Sequence, residues 1–342
     1  MRAVLLPGDR RAEVVDRDRP QPRSHEVLVQ TKASAICRSD MSIYAGTPLV
    51  GDPRSGDDLV VPGHEGAGIV VAVGSAVRNV AVGDRIAGYL PATDGTSEFA
   101  ASGHLMLDAD WQCMGFDFDG ADADYFVLPE RNCLPLPASL SFEAGAVLTD
   151  MVGTQYSTQK RIGVSARDTV AVFGLGPMGG AAVLIAKALG ATVVAIDILD
   201  SRLEHATRLG ADYVVNSAEV DAEAGIRALF SRGVDVAIDC SGNPAAQNAA
   251  LDIAAGLGRV AFVGESRATE IRPSEQILRK LLTVVGGWYF ALPEWSEIVR
   301  FVVAHDVPVE ELISHRFSIE EAPEAFAAFD RRETEKAVFV WQ

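Results

Sequence analysis

Cysteine is scarce in this sequence: four residues in 342, Cys37, Cys113, Cys133 and Cys240, with no Cys-x-x-Cys pair among them. That scatter excludes a small disulfide framework and suits a reducing, cytoplasmic setting. Long apolar runs are also missing. The stretch from Ala181 to Ala186 stops at Lys187, far short of the ~18 to 20 residues that span a bilayer. The opening Met-Arg-Ala-Val-Leu-Leu meets Pro7-Gly8 before it reaches the ~7 residues of a secretory core, so no export signal is expected. Nor is there a block of Lys and Arg, and acidic side chains outnumber basic ones by 47 to 30, for a formal charge of −17. Such a chain offers no footprint for nucleic acid or anionic lipid, and neither nucleic acid nor membrane is expected as a partner.

What remains is ordinary globular material, 48% apolar and 23% charged, which leaves no room for long disorder. At roughly 150 residues per domain, two cores fit the length. Up to about residue 145 the chain is rich in Val, Gly and Pro. Short alternating runs such as Val27 to Thr31 and Gly68 to Val73, punctuated by Gly74-Ser75 and Gly83-Asp84, read as small twisted β-sheets. From about 150, apolar strands alternate with Ala- and Leu-rich helical stretches, which predicts an α/β domain with a doubly wound parallel sheet. Strands are expected at Thr169 to Phe173, Thr192 to Ile196, Tyr213 to Val215, Val234 to Asp239, Arg259 to Val263 and Leu282 to Val285, a complete dinucleotide sheet. A helix from Trp295 to Ala304 and a closing strand from Lys336 to Val340 are too little for a third core. The expected division is 1–150 with 292–342 for the first domain and 151–291 for the second.

The clearest chemical signal is Gly174-Leu175-Gly176-Pro177-Met178-Gly179, which follows the strand ending at Phe173 and opens a helix read as Gly180 to Leu189. Glycines allow the tight turn, the close approach of a pyrophosphate and helix-to-strand packing, while the helix N-terminus offers amide donors to the phosphates. The next strand ends in Asp197, 18 positions past the last glycine, close to the ~20 expected for a carboxylate that accepts hydrogen bonds from an adenosine ribose. Asp197 would repel a 2′-phosphate, which favours NAD over NADP, although Arg202 stands close by.

Cys37, the pair His64-Glu65, and Asp150 are the side chains best suited to zinc, since thiolate, imidazole and carboxylate are all zinc donors. Spacing does not connect them: Cys37 and His64 are 27 positions apart and Asp150 lies 86 further on. Local segments do. Ile36-Cys37-Arg38-Ser39-Asp40, Val61 to Gly68 (Val-Pro-Gly-His-Glu-Gly-Ala-Gly), Val82-Gly83-Asp84-Arg85-Ile86, the glycine turn and Val234 to Gly242 run in family order. In these segments the whole chain resembles the zinc-containing medium-chain alcohol dehydrogenases.

The resemblance implies a GroES-like, mostly-β catalytic domain, a Rossmann domain, and one catalytic Zn²⁺ per subunit held by Cys37, His64 and Asp150, with Glu65 as a neighbouring acid able to coordinate. Thr149-Asp150-Met151 is similar to the bacterial secondary-alcohol branch, which has Asp where other members have Cys. The family's structural zinc needs four cysteines in a lobe corresponding to Gly95 to Asp124, where this chain has only Cys113, so a second zinc is not expected. By the same likeness Ser39 accepts the alcohol proton, Arg38 contacts the pyrophosphate, Thr154 packs near the nicotinamide, Arg202 meets the adenosine ribose and Lys336 reaches a phosphate. A histidine that continues the proton path in several relatives is Ser42 here. Ser39, Trp111, Phe116 and Tyr289 are candidate substrate-pocket walls. A homodimer or homotetramer is implied, formed through the strand near Gly286.

The activity so implied is hydride transfer between NAD(H) and a secondary alcohol or polyol, or the matching ketone. A zinc-free quinone or enoyl reductase of the same superfamily would make the donor set incidental. A non-catalytic nucleotide-binding relative would bind NADH without turnover.

Overall fold

The computed structural model describes residues 1–48 and 56–342. The chain forms two compact units, one of Met1–Asp150, Ala291–Trp295 and Glu310–Gln342, the other of Met151–Phe290 and Ser296–Val309. Residues 296–309, expected with the first domain, instead pack within the second unit. The reason lies in the helix Trp295–Ala304. Its Glu297 accepts hydrogen bonds from Tyr156 Oη at 2.7 Å and Lys160 Nζ at 2.6 Å, and Phe301 packs on the Tyr156 ring at 4.9 Å.

The second unit is built on a six-stranded, wholly parallel sheet in the order Tyr213–Asn216, Thr192–Asp197, Thr169–Phe173, Val234–Asp239, Ala254–Phe262, Thr283–Gly286. Parallel strands covered on both faces must be apolar nearly throughout. Val170, Ala171 and Val172, and Val193 through Ala195, are accordingly buried completely. The chain leaves the strand Thr169–Phe173 at the point where strand order reverses, the place at which open α/β sheets receive ligands. Six strands form where six are expected, but the fifth starts five residues early, at Ala254. The helix after the glycine turn spans Pro177–Ala188 rather than starting at Gly180. Proline lacks only an N–H that the first helical turn leaves unbonded anyway, so Pro177 begins the helix instead of delaying it.

The first unit centres on a seven-stranded sheet. Its path runs Ile313–Phe317, Lys336–Val340, Glu26–Ala35, Gly66–Val73, Arg85–Gly88, Cys133–Pro135, and Tyr125–Pro129 also pairs with Glu26–Ala35. The registers Val338↔Ala35 and Ser34↔Gly66 join three neighbouring strands. Because of them, Lys336, Cys37 and the pair His64-Glu65 all emerge at one end of the sheet. Among the described residues no helix is long and apolar enough to cross a membrane.

Candidate active site

At that end of the sheet, Cys37, His64, Glu65 and Asp150 bring one ligand atom each to within 4.8 Å of one another. Cys37 follows the strand Glu26–Ala35, and Glu65 precedes the strand Gly66–Val73, where the two chains are bonded by Ala35 N–H to Glu65 O at 3.0 Å. Asp150 arrives from elsewhere, on a π-helical turn, Leu148–Val152, between the helices Phe142–Val147 and Gly153–Arg161. A π-turn accommodates an extra residue. Here it presents the Asp150 carboxylate to Cys37 Sγ at 3.4 Å and His64 Nε2 at 3.7 Å, while Leu148, Met151 and Val152 stay buried in the core.

The two nitrogens of His64 face different partners. Nδ1 sits 3.0 Å from Asp40 Oδ1, and Nε2 faces Asp150 and, at 3.9 Å, Glu65 Oε1. The other oxygen of Asp40 accepts the Cys37 N–H at 2.8 Å. One buried carboxylate thus orients the imidazole and the loop carrying the thiol, the arrangement that fixes tautomer and ring direction in metal-binding histidines. The sequence reading assigned no role to Asp40. Its signal was its place three residues after Cys37, from which a carboxylate folds back onto a preceding N–H.

Electrostatics at the cluster are short of positive charge. Burial, then the Asp150 carboxylate, push the Cys37 thiol up. Burial works against Asp150 as well, but the hydrogen bond and charge of His64 outweigh it and hold that carboxyl at about 2. Burial also pushes Glu65 up, against the Lys336 ammonium 2.5 Å from its Oε1. For Lys336, burial alone would favour the neutral amine, yet Glu65, Cys37 and Asp150 together raise its pKa. Lys336 is 1% exposed, so its ammonium is committed to Glu65 inside the first unit. The donor set fits zinc on two further counts. Thiolate, imidazole and carboxylate are zinc's own ligands, and Glu65 Oε2 is a buried oxygen with no hydrogen-bond partner, a lone pair that a cation can take.

Around the donors, Ser39 Oγ lies 3.4 Å from His64 Nε2, and the buried Phe116 ring packs against His64 with centroids 5.4 Å apart. Ser42 Oγ donates to the Ser39 carbonyl at 2.6 Å. Arg38 is exposed and Trp111 half-buried. The lobe near Cys113 is organised by a carboxylate. Asp108 Oδ2 accepts from Ser97 Oγ at 2.6 Å and Thr93 Oγ1 at 2.8 Å, and Ser97 in turn caps the helix Glu98–Ser102 by accepting from Ala100 N–H.

In the second unit two of the three glycines of the turn answer a steric demand and the third leaves open space. Gly174 has φ +79°, and a Cβ there would meet Ser241 at 2.6 Å; at Gly179 it would meet the Gly174 carbonyl at 1.9 Å. At Gly176 nothing lies closer than the Arg202 guanidinium at 3.9 Å, which leaves its backbone open to a ligand. Asp197 closes the arrangement. Its Oδ2 accepts from Leu175 N–H at 2.7 Å, and its Oδ1 from Ile198 and Leu199 N–H at 2.7 and 3.1 Å. Arg202 NH1 is 3.7 Å from Asp197 Oδ2. Thr154 is buried with its hydroxyl unpartnered, and Tyr289, also buried, stacks on Phe290 at 4.7 Å.

Comparison with known proteins gives a consistent answer. Residues 23–138 match the model of the alcohol dehydrogenase GroES-like domain, and residues 177–304 match that of the zinc-binding dehydrogenases. The chain is 31% identical to sorbitol dehydrogenase of Bacillus subtilis over 95% of this chain and 92% of that one. It is 32% identical to L-threonine 3-dehydrogenase of Saccharopolyspora erythraea over 100% and 99%. The alcohol dehydrogenase TADH from Thermus sp. ATN1 superposes with a TM-score of 0.91 at 28% identity, covering 100% of both chains.

Proposed function

This chain belongs to the zinc-type medium-chain alcohol dehydrogenases, nicotinamide-dependent oxidoreductases, and on that premise we propose that Cys37, His64 and Asp150 hold one catalytic Zn²⁺, with Glu65 able to join them. The observation that carries this reading is the convergence of four donors of three kinds, thiol, imidazole and carboxylate, within 4.8 Å. A zinc ion there supplies Lewis acidity, lowering the pKa of an alcohol hydroxyl and, in reverse, polarising a carbonyl. The nicotinamide supplies the hydride chemistry. The chain's own residues do the positioning. Asp40 keeps His64 Nε2 aimed at the other donors. Ser39 Oγ, 3.4 Å from that nitrogen, is placed to take the proton of a substrate hydroxyl. Ser42, whose hydroxyl donates to the Ser39 carbonyl, is not a titrating base at neutral pH, so it does not stand in for a histidine at the end of that path.

Charge favours an uncharged substrate. Cys37, Asp40, Glu65 and Asp150 crowd the site with acid, and its buried cation, Lys336, is committed to Glu65. Zn²⁺ would offset part of that acid, but with Lys336 paired to Glu65 no buried cation among the donors' described neighbours is left for a carboxylate or phosphate, which supports a secondary alcohol or polyol. In the second unit, the glycine turn and the N-terminus of helix Pro177–Ala188 receive the pyrophosphate, and Asp197 the adenosine ribose of NAD. The strand Thr283–Gly286 ends its sheet with one side unpaired, next to Leu257, Leu278 and Leu281, which are 75, 65 and 70% exposed. An edge so apolar supports pairing with a second copy of the chain, which sedimentation velocity reads directly.

Two measurements test the site assignments. Chelation should abolish oxidation of a secondary-alcohol and polyol panel with NAD, and added Zn²⁺ should restore it; full turnover by a metal-free preparation overturns the reading. Asp197→Asn removes the charge and keeps one acceptor oxygen, enough for the Ile198 and Leu199 N–H groups, while the Leu175 N–H loses its acceptor. It should shift the ratio of kcat/KM for NADP over NAD upward by at least about tenfold. An unchanged ratio, or a wild type that already prefers NADP, would remove Asp197 from its role.

A further inference from the structure

Two segments deliver the first two zinc donors: the strand Glu26–Ala35 runs into Cys37, and residues 61–63 run into His64. One buried side chain touches both. Asp122 is completely buried, and its Oδ1 accepts from Ser34 Oγ at 2.6 Å, three residues before Cys37. The same carboxyl lies against Gly63, the residue before His64. A Cβ added at Gly63, which has φ +93°, would fall 2.4 Å from Asp122 Oδ1 and 2.6 Å from its Cγ. The backbone repeats the contact. Asp122 N–H donates to Pro62 O at 3.0 Å, Ala121 N–H to Gly63 O at 2.7 Å, and Gly120 N–H to Val61 O at 2.7 Å, so residues 120–122 run alongside residues 61–63.

A carboxyl is an expensive way to fill such a space. Burying one without full hydrogen bonding costs free energy where burying a methyl group would gain it, and Asp122 Oδ2 has no partner. Hydrophobic contact cannot explain it, and Asp122 is not one of the four donors. What the carboxyl does supply is a directional link, an oxygen that holds the Ser34 hydroxyl on one side while its body fills the volume left by the missing Cβ of Gly63 on the other.

We propose that Asp122 is a positioning residue for the metal centre: by bridging Ser34 Oγ and the Gly63 backbone it sets the placement of Cys37 relative to His64. This rests on the reading of Cys37 and His64 as zinc ligands. Zinc affinity is sensitive to placement at this level, since partners just outside the ligand shell are worth 10–100-fold in metal affinity.

Competition of the full-length chain against a chromophoric chelator for Zn²⁺ tests it. Asp122→Ala should lower zinc affinity about 10–100-fold. Asp122→Asn, whose amide oxygen still accepts from Ser34, should stay within about threefold of wild type on the same argument. Ser34→Ala removes the link from the other end, creates no large cavity, and should reproduce the loss even if Asp122→Ala fails to fold. A role confined to general stability would lower the melting temperature of the variants and leave zinc affinity unmoved, which overturns the proposal, as would an Asn variant as weak as the Ala variant. A wild-type chain that holds no Zn²⁺ overturns the ligand assignment itself; a wild type that binds tightly with Ser34→Ala and Asp122→Ala matching it overturns only the role of Asp122.

Discussion

Replacing Cys37 with alanine should empty the protein of zinc and lower kcat/KM for its best alcohol by at least about 10³-fold. Lewis-acid stabilisation by a metal contributes several kcal/mol, and each 1.36 kcal/mol is a factor of ten in rate, so losing ~4 kcal/mol already reaches that figure. Little else should change. Cys37 is half-buried, at the end of a strand, and its loop stays anchored to Asp40 through the Cys37 N–H, which the substitution does not touch. NADH affinity should remain within about threefold of wild type, because the glycine turn and Asp197 belong to the other unit; that margin amounts to less than 1 kcal/mol. Elemental analysis, NADH fluorescence titration and steady-state kinetics on one preparation give all three readings. A variant that keeps its zinc and its turnover would show the thiol to be an ordinary half-buried cysteine.

Lys336→Met should be the most destabilising single change at the site. The substitution keeps the length of the side chain but removes the ammonium that faces Glu65 in a fully buried pair. Breaking such a pair from one side costs about 3–5 kcal/mol, because the surviving charge stays buried without compensation. At about 2 to 4 °C per kcal/mol for a unit of this size, the zinc-stripped protein should melt about 6 to 20 °C lower. Bound Zn²⁺ should shrink the difference by returning positive charge beside Glu65. The double variant with Glu65→Gln should recover part of the stability, since removing both partners abolishes the unpaired charge. NADH affinity discriminates the roles of this lysine. A phosphate contact predicts weakened cofactor binding in Lys336→Met, and the buried pair predicts none.

The fold and the dinucleotide turn were legible because their signals are local. Continuous apolar strands followed by helical texture imply a parallel sheet wherever they occur. Gly174 and Gly179 mark places where a Cβ would collide, and Gly176 a stretch of backbone left open. Asp197 sits one strand later at a spacing set by the length of a helix and a strand. The proposed metal ligands are a different case. Cys37, His64 and Asp150 carry no mutual spacing signal, and only the likeness of their flanking segments to a family linked them. The surroundings of Lys336 were hidden for the same reason. Sequence shows a basic residue at the start of a strand but not that the register Val338↔Ala35 buries it beside Glu65. The helix Trp295–Ala304 was placed correctly in extent and in the wrong unit, because amphipathicity announces an apolar face without naming what covers it.

The amino-acid order alone determined the strands and the glycine turn, and was enough to propose Asp197 as the ribose carboxylate and Cys37, His64 and Asp150 as zinc donors, since each depends on residues a few positions apart or on short matched segments. Only the tertiary structure decided that Asp40 orients both Cys37 and His64, that Lys336 is paired with Glu65, that a π-turn presents Asp150, and that Asp122 ties Ser34 to Gly63. Those relations are set by strand register and burial, which bring together side chains tens or hundreds of positions apart, and no local pattern encodes a distance across a sheet.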